Sequence, residues 1–234
     1  NGFFVAYAGM PPIIVTLATM GIARGIGLIY TGGYPIDGLP EAFAFFGRGT
    51  VLGIQTPVVI MLMDAPGVRE GLREICRRIA QSGYYVLLPN LYYRSTREFV
   101  CGPTRNHPDA EANLKRMFGL LESISNAKVA ADTGAVLDVL PTLPDAKAGK
   151  VGLVGYCMSG AFVTAAAAAH PGRIGCFASY YGTRLITDKP DSPHLMLGDI
   201  TAEGYYAFAE HDTYVPLSDV AKFEKLLASA PFPS

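Results

Sequence analysis

The sequence has few of the residues that bind metals or form disulfides. Its 234 residues include four cysteines and four histidines, and they contain neither a C-x-x-C pair nor an H-x-x-x-H spacing. A zinc site normally needs such closely spaced ligands, so we predict no metal and no cofactor. Four scattered cysteines are also typical of a reducing, cytoplasmic compartment rather than of a disulfide scaffold.

An excess of charge of either sign is also missing. Nineteen Lys and Arg against 20 Asp and Glu give a formal net charge of −1. Without a basic excess there is no electrostatic basis for binding nucleic acid or an anionic membrane surface, so we predict neither partner. A nucleotide binder that uses the glycines at Gly155 and Gly160 is a weak alternative, because this turn lacks G-x-G-x-x-G and no Gly-Lys-Ser/Thr follows.

The N-terminal stretch lacks charge altogether, since residues 3–23 contain no acidic or basic side chain. A membrane segment or a signal peptide would look similar, but Pro11 and Pro12 interrupt the stretch and no basic residue precedes it. We therefore predict that residues 1–27 form an N-terminal extension that is disordered or loosely packed. A wrongly placed start of the sequence is an alternative.

From residue 28 to residue 234 the chain alternates between apolar strands and amphipathic helices. The predicted strands are residues 41–46, 57–63, 84–88, 174–180 and 204–209, with a further strand just before Cys157. Four helices are predicted: one contains Leu72–Ala80, one contains Val129–Leu140, one follows Cys157, and one begins at Pro216. Residues 94–125 are predicted to form a loop with short helices. This alternation predicts an α/β fold with a mostly parallel sheet covered by helices on both faces.

The most informative segment runs from Lys150 to Gly160, where an apolar run leads through Gly155 and Cys157 into an alanine-rich helix. Glycines around the cysteine allow a strand to turn sharply into a helix with the side chain exposed, which is a nucleophile elbow. We expect a lowered thiol pKa there, because the helix dipole and free N–H groups favour the thiolate. The alternative is that Cys157 is a small buried hydrophobic residue.

Two carboxylates occupy positions where an α/β sheet collects its active-site residues. Active sites of such sheets lie at the carboxyl ends of the strands, and Asp64, Cys157 and Asp212 each follow a predicted strand. An acid after a later strand is the expected orienting group in the order nucleophile, acid, histidine. Asp212 could equally be a turn residue or a helix cap.

Four segments together resemble the dienelactone hydrolase family, a cysteine-dependent branch of the α/β-hydrolases. They are Met63–Gly67, Leu88–Arg94, Gly155–Gly160 and Ala209–Asp212, and the resemblance extends over roughly residues 30–230. It implies an α/β-hydrolase fold and hydrolysis of a small-molecule ester or lactone through an acyl-enzyme. It requires no cofactor or metal.

The resemblance also implies roles for individual residues. Cys157 is the nucleophile, and Asp212 orients the catalytic histidine. Asp64 takes the place of an acid, usually glutamate, that contacts the resting thiol and helps to deprotonate it. The backbone N–H groups of Ala65 and Met158 form the oxyanion hole, which supplies two donors for the developing negative charge.

Substrate binding is assigned to Tyr93 and Arg94 on the same basis. Arg94 matches an arginine that pairs with a substrate carboxylate, so an anionic ester or lactone is the expected substrate. A solvated loop arginine is the alternative interpretation.

The sequence departs from the family in one respect, because no histidine follows Asp212. His211 adjoins the acid, but adjacent residues leaving a strand point in different directions. The remaining histidines are predicted in loops, in turns or at a helix end: His107, His170 and His194. We expect the chain to be a C-terminally truncated fragment that lacks its base, or alternatively a catalytically impaired binding protein with the hydrolase fold.

Overall fold

Strands and helices alternate throughout residues 57–230, which are the residues that the computed structural model describes. The strands are β1 Val58–Leu62, β2 Tyr85–Leu87, β3 Val151–Tyr156, β4 Ile174–Tyr180 and β5 Glu203–Ala207. The helices are α1 Glu70–Gln81, α2 Ala110–Glu122, α3 Asn126–Val139, α4 Ser159–Ala169 and α5 Leu217–Ala228. The features predicted for residues 1–46 lie outside the described residues.

The five strands form one sheet in the order β2-β1-β3-β4-β5, and every neighbouring pair is parallel. All five residues of β1 are buried, as a continuous apolar strand inside a parallel sheet should be. The carboxyl ends of β1 and β3 lie side by side, because Leu62 pairs with Gly155. The α/β fold class predicted from the alternating pattern is therefore confirmed.

Helix α4 is the central helix of this sheet. Its residues from Ser159 to Ala168 are all buried, which is the environment that an alanine-rich helix without a polar face requires. It packs on β3 and β4 and contacts α3. The longest described helix, α3, has 14 residues, and no helix within residues 57–230 is long and apolar enough to cross a membrane.

Two details of the sequence prediction are wrong. Residues 94–125 were expected to hold only short helices, but α2 has 13 residues and buries Met117 and Leu121. The apolar stripe of α2 is narrow and charged residues surround it, so the helical spacing of its apolar residues is difficult to recognise in the sequence. Pro216 caps α5 instead of occupying its first position, and its carbonyl accepts the N–H of Asp219 at 2.8 Å.

Candidate active site

Cys157 lies in the sharp turn between β3 and α4. Its φ of 53° is in the left-handed region, which is uncommon for a residue other than glycine. Its N–H donates to the carbonyl of Tyr180 at 3.1 Å, and its carbonyl accepts the N–H groups of Gly160 at 3.1 Å and Thr183 at 3.0 Å. The turn therefore has the strained and firmly held backbone of a nucleophile elbow, with a partly buried thiol at its tip.

The glycines of this turn are required by close backbone approach. A Cβ on Gly155 would lie 2.3 Å from the carbonyl oxygen of Ser159, and one on Gly160 would lie 2.3 Å from the Cα of Gly182. The two glycines are not evenly spaced around Cys157, because Gly155 is two positions before it and Gly160 is three positions after it, with Ser159 between. Ser159 is accommodated because its buried hydroxyl donates to the carbonyl of Met63.

The structure brings the two predicted carboxylates to the elbow. Asp64 follows β1 and Asp212 follows β5, and the negative charges of both act on the thiol of Cys157. Asp64 is buried, whereas Asp212 is partly buried. Asp64, Cys157 and Asp212 thus each follow a strand of the same parallel sheet, and their joint role in catalysis stays a prediction.

The expectation of a lowered thiol pKa is wrong. Burial, which penalises the charged thiolate, is the largest cause of a raised Cys157 pKa, and Asp64 and Asp212 raise it further. The N–H of Met158, which bonds the sulfur, and the charge of Arg184 both act to lower it. Helix N-terminal stabilisation is therefore outweighed by desolvation and by two nearby carboxylates.

We predict that Asp212→Asn speeds alkylation of Cys157 at neutral pH. Removing the carboxylate lowers the raised thiol pKa, so the thiolate fraction at pH 7 increases and the pH profile of alkylation moves to lower pH. The measurement is the iodoacetamide rate at this one cysteine, followed by peptide mass spectrometry between pH 6 and 10. Asp219→Asn is the control on α5, and an unchanged profile in Asp212→Asn would contradict the prediction.

Asp64 is engaged by an arginine rather than by the thiol. Its carboxylate forms an ion pair with Arg69, and the hydrogen bond between them is the main cause of a raised Arg69 pKa. Within residues 57–230 no hydrogen bond joins Asp64 to Cys157. The shorter aspartate side chain thus influences the Cys157 thiol through its charge, and direct contact with the thiol stays a prediction.

The two predicted oxyanion donors, Ala65 and Met158, follow the adjacent strands β1 and β3. The N–H of Met158 already points at the sulfur of Cys157, and no described residue accepts a hydrogen bond from the N–H of Ala65. Tyr92, which is fully buried, donates its hydroxyl to the carbonyl of Ala65 at 2.9 Å and lies 3.7 Å from the Met158 sulfur. Sequence reasoning missed this role, although a tyrosine in an apolar segment signals that its hydroxyl needs a buried partner.

We predict that Tyr92→Phe slows acylation of Cys157 by about 10-fold while the apparent KM changes little. Loss of the hydroxyl frees the Ala65–Pro66 peptide, which directly follows the peptide that carries the Ala65 N–H, and a misaligned oxyanion donor costs transition-state stabilisation rather than ground-state binding. Single-turnover kinetics with p-nitrophenyl acetate measure both parameters. Tyr85→Phe is the control, and a purely structural role would instead appear as a lower unfolding midpoint with unchanged acylation.

Tyr93 and Arg94 are both engaged by one carboxylate on α3. Arg94 binds the two oxygens of Asp132 at 2.7 and 2.6 Å, and the hydroxyl of Tyr93 donates to the same side chain at 3.0 Å. The guanidinium also lies 4.6 Å above the Tyr93 ring. In this arrangement both terminal nitrogens of the Arg94 guanidinium already bond to Asp132, and the pairing of Arg94 with a substrate stays a prediction.

A cavity of about 500 Å³ adjoins the elbow at Met158, and Cys157, Asp64 and Asp212 do not line it. Met158, Ala161 and Phe162 form its inner wall, and Arg184 and Lys189 lie on the side that follows β4. Neither Tyr93 nor Arg94 lines it. Arg184 was not identified from the sequence, because a single arginine in a loop carries no distinguishing pattern.

None of the four histidines serves as a partner of the elbow. His170 bonds the carbonyl of Ala130 at 2.7 Å, His194 bonds Ser192 at 2.8 Å, and His107 lies beside Asp109. His211 is exposed, and Asp212 accepts the N–H of Tyr214 at 2.8 Å, so the acid also stabilises its own turn. Within residues 57–230 no three His, Cys, Asp or Glu side chains are grouped to hold a metal ion.

Comparison with known proteins agrees with this geometry. The model of the dienelactone hydrolase family matches residues 44–233. The chain belongs to the dienelactone hydrolase family. A Synechocystis protein provisionally named carboxymethylenebutenolidase is 30% identical over 176 residues, which cover 74% of this chain and 68% of that protein. A crystal structure from Klebsiella pneumoniae, provisionally named a dienelactone hydrolase, is 25% identical with a TM-score of 0.64 and covers 80% of this chain and 75% of its own.

These matches show that this chain has the family and the fold of hydrolytic enzymes. A second similarity is short: 65 residues, or 27% of this chain, are 46% identical to 20% of the ribose import permease RbsC of Bacillus subtilis. The dienelactone hydrolase assignment rests on residues 44–233 and is unaffected by it.

Proposed function

We propose that this dienelactone hydrolase family member cleaves an ester or lactone of a small molecule through a covalent acyl group on Cys157. The observation that supports this most directly is the strained turn at Cys157, which holds a partly buried thiol next to the N–H of Met158 and at the end of the strand that pairs with β1, the strand before Ala65. A thiol held in this way can attack a carbonyl carbon while two backbone donors face the oxygen.

The proposed reaction has two stages. The thiol of Cys157 loses its proton to a nearby base, for which Asp64 is the proposed acceptor, and the sulfur bonds to the carbonyl carbon. The Ala65 and Met158 amides stabilise the oxyanion until the C–O bond breaks and the leaving alkoxide takes up a proton. Water then adds to the thioester, which releases the carboxylic acid and restores the thiol.

The second stage is expected to be slow in this chain. In the family pattern a histidine oriented by the acid transfers protons in both stages, but within residues 57–230 no histidine bonds to Cys157 or to the side chain of Asp212. General base assistance contributes about 10²–10⁴-fold, so its loss leaves the thioester long-lived. We therefore propose that the acylated protein accumulates and that deacylation limits turnover.

The test is to treat the chain with p-nitrophenyl acetate and to locate the acetyl group by peptide mass spectrometry. The proposal requires acetylation of Cys157, and added imidazole should then accelerate turnover because it supplies the missing base. Cys157→Ala with the same imidazole concentration corrects for direct hydrolysis by imidazole. An unmodified Cys157 with no imidazole effect would instead support a non-catalytic binding protein, which the lack of a placed histidine favours.

A further inference from the structure

Tyr181 lies in a short segment after β4 that is tied to Cys157 at both ends. The carbonyl of Tyr180 accepts the N–H of Cys157 at 3.1 Å, and the N–H of Thr183 donates to the carbonyl of Cys157 at 3.0 Å. Between these two hydrogen bonds, Gly182 packs against Gly160 at the start of α4. The backbone therefore fixes Tyr181 close to the proposed nucleophile.

The backbone of Tyr181 is itself strained. Its φ of 41° lies in the left-handed region, which is an outlier for a bulky side chain. Its N–H donates to the carbonyl of Ala207 at 2.6 Å, and its ring lies 5.8 Å from the ring of Tyr156. Strained residues persist where the surroundings over-determine them, and they cluster at functional sites.

The charged groups of the site act on the hydroxyl of Tyr181. Burial raises the pKa of this phenol, and the negative charges of Asp64 and Cys157 raise it further, so the hydroxyl keeps its proton at neutral pH. The positive charge of Arg69 acts in the opposite direction and favours the phenolate. Within residues 57–230 no hydrogen bond engages this hydroxyl, and 43% of the residue is exposed, so its proton is available to a bound molecule.

A cysteine nucleophile needs an acid at the oxygen that leaves. In the tetrahedral intermediate the thiolate is a better leaving group than an alkoxide, so the intermediate returns to the ester unless the leaving oxygen is protonated. Within residues 57–230 no histidine is placed to give this proton. Asp64, the proposed acceptor of the thiol proton, is buried and paired with Arg69. The donor to the leaving oxygen must therefore be another group beside Cys157.

We propose that Tyr181 is the general acid of the acylation stage, an inference that rests on the proposed function. As the C–O bond breaks, its electron pair moves to the leaving oxygen, which takes the proton of the Tyr181 hydroxyl. The charge of Arg69 stabilises the resulting phenolate, which then takes up the proton that Asp64 received from the thiol. The thiol proton thus ends on the alcohol product, and both Tyr181 and Asp64 return to their starting states.

This role selects a class of substrate. Alkyl esters and lactones release a strongly basic alkoxide and depend on the acid, whereas a p-nitrophenyl ester releases a stable anion that needs no proton. Tyr181 therefore extends the chemistry of Cys157 from activated aryl esters to alkyl esters and lactones.

The experiment compares acetylation of Cys157 by p-nitrophenyl acetate and by trifluoroethyl acetate, which differ only in the leaving group. Tyr181→Phe removes the hydroxyl and keeps the ring. Tyr180→Phe is the matched control one residue earlier, where the ring stacks on Tyr156 at 5.2 Å. Intact-protein mass spectrometry of quenched single-turnover reactions gives both rate constants. The readout is their ratio, because a general disturbance of the elbow slows both esters alike.

The ratio of trifluoroethyl to p-nitrophenyl acetate should fall about 100-fold in Tyr181→Phe, since general acid assistance contributes about 10²–10⁴-fold. Tyr180→Phe should keep the ratio of the unaltered chain. An unchanged ratio in Tyr181→Phe, or an equal fall in Tyr180→Phe, overturns the role of Tyr181 and leaves the proposed function standing. Failure of both esters to acetylate Cys157 in the unaltered chain would overturn the proposed function, and this inference with it.

Discussion

Replacing Cys157 with alanine is expected to abolish the burst of p-nitrophenol that the unaltered chain releases from p-nitrophenyl acetate. The burst should approach about one equivalent per chain because deacylation is the slower step, and it should fall to background without the sulfur. The effect on the acylation rate is expected to be at least about 10³-fold, since removal of a nucleophile leaves only binding and oxyanion stabilisation. Stopped-flow absorbance measures both the amplitude and the rate.

The chain offers a matched control for this variant in Cys176, which is a free and exposed thiol on β4. Cys176→Ala should keep the full burst, because exposure alone does not provide the amides of Ala65 and Met158. Cys157→Ser is a second comparison, in which the much less acidic hydroxyl, with no histidine to take its proton, should react far more slowly than the thiol. Equal bursts in the unaltered chain, Cys157→Ala and Cys157→Ser would remove Cys157 from the mechanism.

A large loss of stability is expected for Gly160→Ala. The new Cβ would lie 2.3 Å from the Cα of Gly182 and 2.4 Å from the hydroxyl of Ser179, so the start of α4 or the loop after β4 must move. Overpacking against backbone costs about 1–3 kcal/mol or more in the free energy of unfolding. The same displacement disturbs the hydrogen bond of Thr183 to Cys157, so acylation should fall together with stability.

Gly119→Ala is the control for this substitution. Gly119 lies in the exposed part of α2, and a Cβ there would have nothing within 4 Å. Alanine is the better helix former by about 0.5–1 kcal/mol, so this variant should unfold at a higher urea concentration than the unaltered chain. Equal urea midpoints for the two alanine variants would show that close packing of Gly160 does not hold the elbow in place.

The fold and the sharp turn at Cys157 could be predicted because each is encoded in neighbouring residues. The continuous apolar run of β1 predicts a strand buried on both faces, and the sheet places it there. The run from Lys150 to Gly160 contains the strand, the turn and the start of the helix in eleven consecutive positions, so the position of Cys157 follows from local order. Helix α2 was missed because its apolar stripe is narrow and charged residues surround it.

Carboxylate positions could also be anticipated, because the ends of parallel strands meet at one edge of a sheet. The hydrogen-bond partners of the residues around the site could not be anticipated, since these partners come from distant parts of the chain. Asp132, which binds Arg94, lies 38 residues further on, and the hydroxyl that holds the Ala65 carbonyl comes from Tyr92, 27 residues away. Ser159 reaches back across 96 residues to Met63.

By itself, the sequence determined the order of strands and helices, the residue at the tip of the elbow and the acids that follow neighbouring strands. Only the tertiary structure decided that the thiol pKa is raised, that Asp64 pairs with Arg69 and that Tyr181 is held beside Cys157. The physical reason is that strand order depends on local periodicity, whereas the charge state and availability of a side chain depend on burial and on neighbours that folding brings together.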